Sequence, residues 1–354
     1  MKREAIARLR GFGLTDLMVG LSIGMVATLV ILNVAVLFDA RRRAAAGSAD
    51  AQAAAAQAVA MLSRELRNAG NGLGPPDALG CIVHWAVGST HGSFLLAPAI
   101  IVKGLNGLPD TLLLLSSGEQ AMPPARLVAP YSTGTNLLTL DSTLGLASGM
   151  LLMLQSTGQP DCALLRLSTV SIGGFTVQVA ANGNPLPGKV FGNDSAAVNL
   201  GSLRYLRYSV DEQQRLQMER FDTQTGLWIA SPIAHGIVNL QLQYGFDDRA
   251  GVQAMPEVTR WSDTVVDADG DNTVGDSGDW QRLLALRVVV VTRSARQKDQ
   301  GCDSTAPEWV TPATGAAGPV RIPIRVDHLV DWNCWRYRLL QTEVPLRNQL
   351  WRGG

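Results

Sequence analysis

The chain has 354 residues, with 30 Lys plus Arg against 30 Asp plus Glu, and so no formal net charge. That balance excludes a strongly basic nucleic-acid binder and an acidic tail protein, and it gives no support for DNA, whose phosphates call for a basic patch. The length leaves room for one large domain or two small ones, and no repeat of solenoid period is visible.

The first element is apolar. Leu17 to Phe38 carries no charged residue, and Ser22, Thr28 and Asn33 are its only clearly polar side chains. A helix over those 22 residues is about 33 Å long, enough for a bilayer core of about 30 Å. Lys2, Arg3, Arg8 and Arg10 stand before it with a single acid, Glu4, which favours a cytoplasmic N-terminus. Arg41, Arg42 and Arg43 beyond it weaken that argument. Ala44-Ala45-Ala46 before Gly47 offers a secretory cleavage site, but the apolar run exceeds the usual 7–15 residues and three arginines intervene. Neither a secretory signal nor a plain anchor accounts for Asp16 at the threshold, because ionisable residues in a span ordinarily have a partner.

Gly11-Phe12-x-Leu14-x-Asp16-Leu17-Met18-Val19 resembles the class III signal of type IV pilins and type II secretion pseudopilins. The resemblance implies a leader over 1–11, cleavage by a prepilin peptidase between Gly11 and Phe12, and N-methylation of Phe12. It makes Asp16 the fifth mature residue, a place usually held by Glu. In that family the acid pairs with the N-terminal ammonium of a neighbouring subunit. Two charges desolvated among apolar helices each strongly favour meeting the other. Asp keeps the charge and loses one methylene of reach.

Helical character continues past Phe38. Ala44 to Gly70 is rich in Ala, Gln, Glu, Arg and Leu, all good helix formers. Val59, Leu62, Leu66 and Ala69 fall on one apolar face, and Gly70, Asn71-Gly72 and Pro75-Pro76 signal a stop. The reading is a helix whose membrane-spanning half covers 12–39 and whose amphipathic, periplasmic half covers 40–70. A β-rich domain follows over 71–354. The expected fold class is α+β, a pilin-like long helix packed on an antiparallel sheet. Glu65-Leu66-Arg67-x-Ala69-Gly70 resembles the helix end of PilW-like minor pilins.

Beyond Gly72, short apolar runs alternate with Gly, Pro, Asn, Asp and Ser. Strands are expected at Thr111–Ser116, Asn136–Leu140, Leu151–Gln155, Ala163–Val170, Phe175–Ala180, Leu203–Val210, Arg215–Phe221, Val238–Phe246 and Leu283–Arg293. V-N-L-Q-L-Q-Y-G-F alternates apolar and polar and reads as half-buried, whereas L-A-L-R-V-V-V-V-T reads as central. Ala181–Gly201 and Cys302–Val320 read as long loops. The run Ile237 to Asp247, the Asp-rich loop with Asp279-Trp280 to Val288, and Cys334-Trp335-Arg336-Tyr337-Arg338 with Pro345-Leu346-Arg347-Asn348 resemble the centre and C-terminus of PilW.

Cys81, Cys162, Cys302 and Cys334 form no C-x-x-C pair. Outside the cytoplasm an even count favours two disulfides, and four cysteines allow three pairings that sequence cannot separate. Joining nearer neighbours gives Cys81–Cys162 and Cys302–Cys334. Asp267, Asp269 and Asp271 have the one-three-five spacing of a calcium loop, and Asp276 or Asp279 could add a later ligand. The EF-hand pattern fails at Asn272 and Gly278, so a solvated acidic turn is the competing reading. G-D-S-G at Gly275–Gly278 has no triad around it, and His84, His91, His235 and His328 show no ligand spacing. Trp332, Trp335 and Tyr337 around Cys334 read as core more than as a docking face.

The expectation is a structural minor pilin without catalysis, requiring no cofactor beyond the calcium option. Its expected partners are the prepilin peptidase, other minor pilins, the major pilin, the assembly platform and a large tip adhesin. It would sit in the inner membrane with its domain in the periplasm, then in the extracellular pilus. A J-type pseudopilin and a pilus-tip binding subunit are the alternatives.

Overall fold

A computed structural model describes residues 13–118, 122–171, 174–181, 184–193, 195–251, 255–294, 302–311 and 318–350. Gly11, Phe12 and the expected leader lie outside the described residues.

One helix runs from Leu14 to Asn68, 55 residues and about 82 Å. Its two halves meet different surroundings. Every residue from Leu14 to Val36 is exposed. From Ala51 onward Ala51, Ala55, Ala58, Leu62, Leu66 and Ala69 are buried, at steps of three and four. The alanines let the helix approach closely, and burying Leu62 and Leu66 contributes about 1.5–3 kcal/mol each. Val59 lies half-buried at the edge of this stripe. The stripe rests on the strands Leu283–Arg293 and Tyr337–Pro345, with Leu227–His235 alongside. The Gln57 amide donates to the Ile233 carbonyl at 3.1 Å.

The helix end is fastened twice. Gly70 adopts φ +80°, and its N–H donates to the Leu115 carbonyl at 2.8 Å. A Cβ there would meet Pro98 at 3.2 Å as well as straining the backbone. The Asn348 amide donates to the carbonyls of Asn68 and Ala69 at 3.2 and 3.0 Å, partnering carbonyls that a helix terminus leaves open.

Three larger sheets make up the domain among the described residues. The helix-backing sheet has the order Arg260–Ser262, Ile237–Phe246, Leu283–Arg293, Tyr337–Pro345. A five-stranded sheet has the order Leu227–His235, Arg215–Asp222, Leu203–Val210, Thr111–Ser117, Ala99–Val102. An eight-stranded sheet includes Ile82–Val87, Asp161–Val170, Leu151–Gln155 and Ala196–Gly201. Pairing is antiparallel except where Ile82–Val87 meets Asp161–Val170. The disulfide Cys81–Cys162 sits at that parallel junction, and the second disulfide is Cys302–Cys334.

Several expectations are corrected. The strand Ile237–Phe246 is buried on both faces, not half-buried. Its polar face is covered by the backbone of the Gly107–Leu108 turn and of Arg325. The Asn239 amide donates to Gly107 and Arg325 carbonyls at 2.9 and 3.1 Å, and the Gln241 amide to Leu108 at 2.8 Å. Alternating Asn and Gln thus mark a polar seam between two segments of protein rather than a water face. Ile82–Val87, Thr90–Leu95, Ala99–Val102 and Leu227–His235 are strands that the pattern did not announce. The two expected loops contain strands at Ala196–Gly201 and Glu308–Val310. A-A-V-N-L-G has little strand propensity of its own, and pairing with Leu151–Gln155 on one side and Ala125–Arg126 on the other imposes the conformation.

The central strand Leu283–Arg293 is buried throughout except at Arg293. Arg287 within it pairs with Glu343 at 2.8 Å and lies over the Trp261 ring at 4.0 Å. At the exit of the neighbouring strand, Asp247 accepts from Arg249 Nε and Nη2 at 2.8 and 2.6 Å and from the Glu257 N–H at 3.1 Å. The Arg249 bonds, followed by the backbone donors, bring its carboxyl down to about 2. A carboxyl whose pKa is lower folded than unfolded stabilises fully above the unfolded value and loses that contribution as pH falls through the folded one. Acid titration between pH 4 and 2 is therefore expected to erode stability in part through Asp247. Urea midpoints of Asp247→Asn should show a weaker dependence over that window than those of the unsubstituted protein.

Candidate functional site: an exposed apolar helix and an acidic loop beside its exit

The exposed half of the helix is apolar on all sides, and Leu14–Val36 is long and apolar enough to cross a membrane. The hydroxyls of Ser22 and Thr28 are satisfied within the helix. Ser22 donates to the Met18 carbonyl at 2.6 Å and Thr28 to the Gly24 carbonyl at 2.7 Å. Polar side chains that return to their own backbone suit a medium without water. Gly20 and Gly24 have open space at their Cβ positions.

Asp16 occupies the first turn and is exposed. Its Oδ2 accepts the Gly13 N–H at 3.2 Å. The carboxylate thus already serves a backbone donor that the helix start leaves open, and it adds negative charge where the helix dipole favours it. Its second oxygen has no partner among the described residues.

One acid lies on the buried stripe. Glu65 is almost wholly buried and pairs with Arg204 at 3.0 Å and Arg64 at 3.1 Å. The Arg204 contact joins the helix to the strand Leu203–Val210. Glu65 entered the sequence reading only as part of a motif, and Arg204 did not enter it. An acid between Leu62 and Leu66 on an otherwise apolar stripe was the available signal. Tyr208 lies close by with its hydroxyl buried, and burial raises that phenol well above its ordinary value.

The acidic loop packs beside the helix exit. A Cβ on Gly80, just past the turn Pro76–Ala78, would meet the backbone of Gly275, Asp276 and Ser277 at 3.1–3.2 Å. The expected carboxylates fall into two groups that share a member. Ligand atoms of Asp267, Asp269 and Asp271 lie within 4.8 Å of one another, and so do those of Asp269, Asp276 and Asp279. No basic side chain pairs with any of the five among the described residues. Burial pushes the Asp276 carboxyl up, and the charges of Asp269, Asp271 and Asp279 add to the effect.

The acids have separate jobs within the loop. Asp279 is fully buried, with Oδ1 accepting the Ala268 N–H and Oδ2 the Gly275 N–H at 2.6 Å. Asp276 caps the short helix Ser277–Gln281 by accepting the Asp279 N–H at 3.2 Å. Asp267 accepts Gly270 and Asn272 N–H groups at 2.7 and 2.9 Å, and Asp271 accepts Thr273 N–H at 2.6 Å. A side chain at Gly278 would overlap the Asp269 carboxylate. Trp280, also fully buried, donates to the Gly275 carbonyl at 3.0 Å. G-D-S-G is therefore a helix-capping turn in this fold.

The aromatic group near Cys334 is half-buried. Trp332 and Tyr337 flank a small core of Val238, Val289, Val291, Trp309, Ile324 and Val326. Arg293 lies over Trp335 at 4.3 Å, and the Tyr337 hydroxyl donates to the Trp332 carbonyl at 2.7 Å.

Asp279→Ala is expected to orphan the buried Ala268 N–H, at a cost of about 1–3 kcal/mol, and to release the half-buried Gly275 N–H. Asp271→Ala, at an exposed position, should change stability by no more than about 0.5 kcal/mol. Urea unfolding of both variants checks the contrast.

Among known proteins, a family model described as type IV pilus-assembly protein W, PilW, matches residues 205–348. The match takes in the helix-backing sheet, the acidic loop, Cys302–Cys334 and Asn348, and it stops short of the long helix. No curated protein and no solved structure matches the chain. The similarity points to a part in type IV pilus assembly.

Proposed function

We propose that this chain is a minor pilin of the PilW type, a structural subunit of the complex that primes or tips a type IV pilus. The observation that carries the reading is the conjunction of two independent features. Residues 205–348 of the sheet domain are similar to a pilus-assembly family, and ahead of the domain stands a helix half that is bare, apolar and headed by an acid. A helix exposed on every side over 23 residues needs an apolar medium. A bilayer supplies it before assembly, and the packed helices of a fibre supply it afterwards.

In this reading the prepilin peptidase cuts between Gly11 and Phe12, and Phe12 is N-methylated. The β-rich domain lies in the periplasm until the subunit is drawn from the inner membrane into the fibre. Other minor pilins, the major pilin, the assembly platform and a large tip adhesin are its partners. The chain performs no catalytic step. Asp16 sets register by meeting the N-terminal ammonium of a neighbour, with the Gly13 N–H holding the carboxylate at the helix start. Asp16→Asn is expected to be cleaved normally and to accumulate in the inner membrane while being depleted from sheared pili. Mass and N-terminal sequence of the membrane-held protein report cleavage, and immunoblots of the sheared fraction report assembly. Normal incorporation of the variant sinks the role given to Asp16.

A second proposal concerns the acidic loop. Crowded carboxylates without a basic partner among the described residues suit a hard cation with oxygen ligands, and calcium takes six to eight of them. Asp267, Asp269 and Asp271, with Asp276 and Asp279 behind them, are the residues that would hold it. A ligand that binds only the folded state stabilises it, by about 2.7 kcal/mol at a hundredfold excess over Kd. Calcium at millimolar concentration is expected to raise Tm relative to chelator, and Asp267→Asn with Asp271→Asn should abolish the rise. No rise in the unsubstituted protein removes the site.

A further inference from the structure

The long helix has a third stretch, between its apolar half and its buried stripe. Val36 ends the segment of membrane length, and Ala51 is the first buried residue among those described. The backbone is helical throughout, so the two stand about 22 Å apart along the axis. Arg42, Ala45, Ala46, Ala49 and Asp50 in this stretch are exposed. It belongs neither to the apolar segment nor to the face that the domain covers.

Its charge is concentrated at one level. Arg41, Arg42 and Arg43 are consecutive, and Asp39 is the one acid within a turn of them, so three cations stand against one anion, a net +2 over residues 39–43. The N-terminal cations account for a helix with a fixed orientation, and these three oppose them. They therefore need a reason of their own.

Depth supplies the first part of it. Arg41 to Arg43 lie about 7–10 Å beyond Val36 along the axis. A hydrocarbon core of about 30 Å inside a bilayer of about 40–45 Å leaves a headgroup layer about 5–8 Å thick on each side. A helix whose apolar segment fills the core thus carries the three arginines to the outer level of the headgroups, and an arginine there is long enough to reach back to them. Direction supplies the second part. Consecutive helix positions stand about 100° apart, so three in a row occupy about 200° of the circumference. A protein partner meets one face of a helix and is matched by residues three and four apart. Cations spread over more than half the circumference match a layer that surrounds the helix on every side, which is what the headgroups of a leaflet do. Guanidinium also offers paired N–H donors in the geometry that phosphate oxygens accept.

We propose that Arg41, Arg42 and Arg43 form a collar that binds the phosphates of anionic phospholipids, in the leaflet on the domain's side of the membrane. That Leu14–Val36 spans a bilayer is the part of the function proposed above on which the collar depends; membership of a pilus is not. The collar fixes how deep the helix sits. It also leaves about 12 Å of bare helix between Arg43 and Ala51, which carries the docked stripe clear of the headgroups.

The test uses the full-length protein in detergent micelles, offered equal amounts of phosphatidylglycerol and phosphatidylcholine, with retained lipids counted by native mass spectrometry. Lys2, Arg3, Arg8 and Arg10 are replaced by Gln throughout, so that the opposite end of the helix does not select. Phosphatidylglycerol is expected to be retained in excess by about fivefold or more, the weight of one basic residue at an anionic surface. Adding Arg41→Gln, Arg42→Gln and Arg43→Gln should bring the ratio to about one. Gln is nearly as good a helix former as Arg, so an unchanged melting temperature should accompany the loss. A preference that survives the triple substitution overturns the proposal. Absence of any preference before it also overturns it and turns the arginines over to a protein partner. Millimolar inorganic phosphate at matched ionic strength should leave the preference in place, and its disappearance would assign the arginines to free phosphate instead of lipid. Carbonate washing of membranes that hold the unsubstituted chain is scored in parallel. Release of the chain would remove the spanning segment itself, whereas a retained chain without lipid preference would remove the collar alone.

Discussion

A single helix has to satisfy two surroundings, and the rest of the molecule is arranged around that constraint. From Leu14 to Val36 it is exposed throughout and is long and apolar enough to cross a membrane. From Ala51 to Ala69 it offers one stripe, and the domain supplies the matching sheet. Arg41, Arg42 and Arg43 lie between the two regimes. The small residues at Ala51, Ala55 and Ala58 bring the helix close, and Leu62 and Leu66 then fill the space above the sheet. Glu65 is the exception on that stripe, and Arg204 answers its charge.

The helix was legible because its signals are local. A charge-free run, a run of good helix formers and a Gly stop each lie within a few residues of one another, and the observed end at Asn68 follows from them. The central strand Leu283–Arg293 was legible for the same reason, being apolar almost without break. The strand Ile237–Phe246 was found, but its burial was misread. Alternation of Asn and Gln with apolar residues looks the same whether the polar face meets water or the carbonyls of Gly107, Leu108 and Arg325. Ala196–Gly201 was hidden because its conformation comes from its neighbours. The acid cluster was visible as spacing, yet spacing did not reveal that Asp279 is buried and holds the loop's own backbone, or that Asp276 caps a helix.

Sequence also could not reveal that Ser117 faces Leu203, which makes residues 118–202 an excursion between two paired strands. Strands that pair across so long an excursion leave no mark in either segment alone. The disulfide Cys81–Cys162 adds a second tie across the same region, joining the segment after the helix exit to a strand inside the excursion. The helix exit, the excursion and the acidic loop thus share one neighbourhood, with Gly80 against the loop backbone and Cys81 beside it.

The landing site of the helix has a consequence for the order of events during synthesis. The helix is made first, but the strands that receive its stripe are Leu283–Arg293 and Tyr337–Pro345, and the amide that closes its last turn belongs to Asn348. Docking therefore waits for nearly the whole chain to emerge. A product truncated before Tyr337 keeps the exposed apolar half of the helix but leaves Ala51 to Leu66 without the last strand that covers them. Such a fragment turns to solvent part of the stripe that here unites helix and domain.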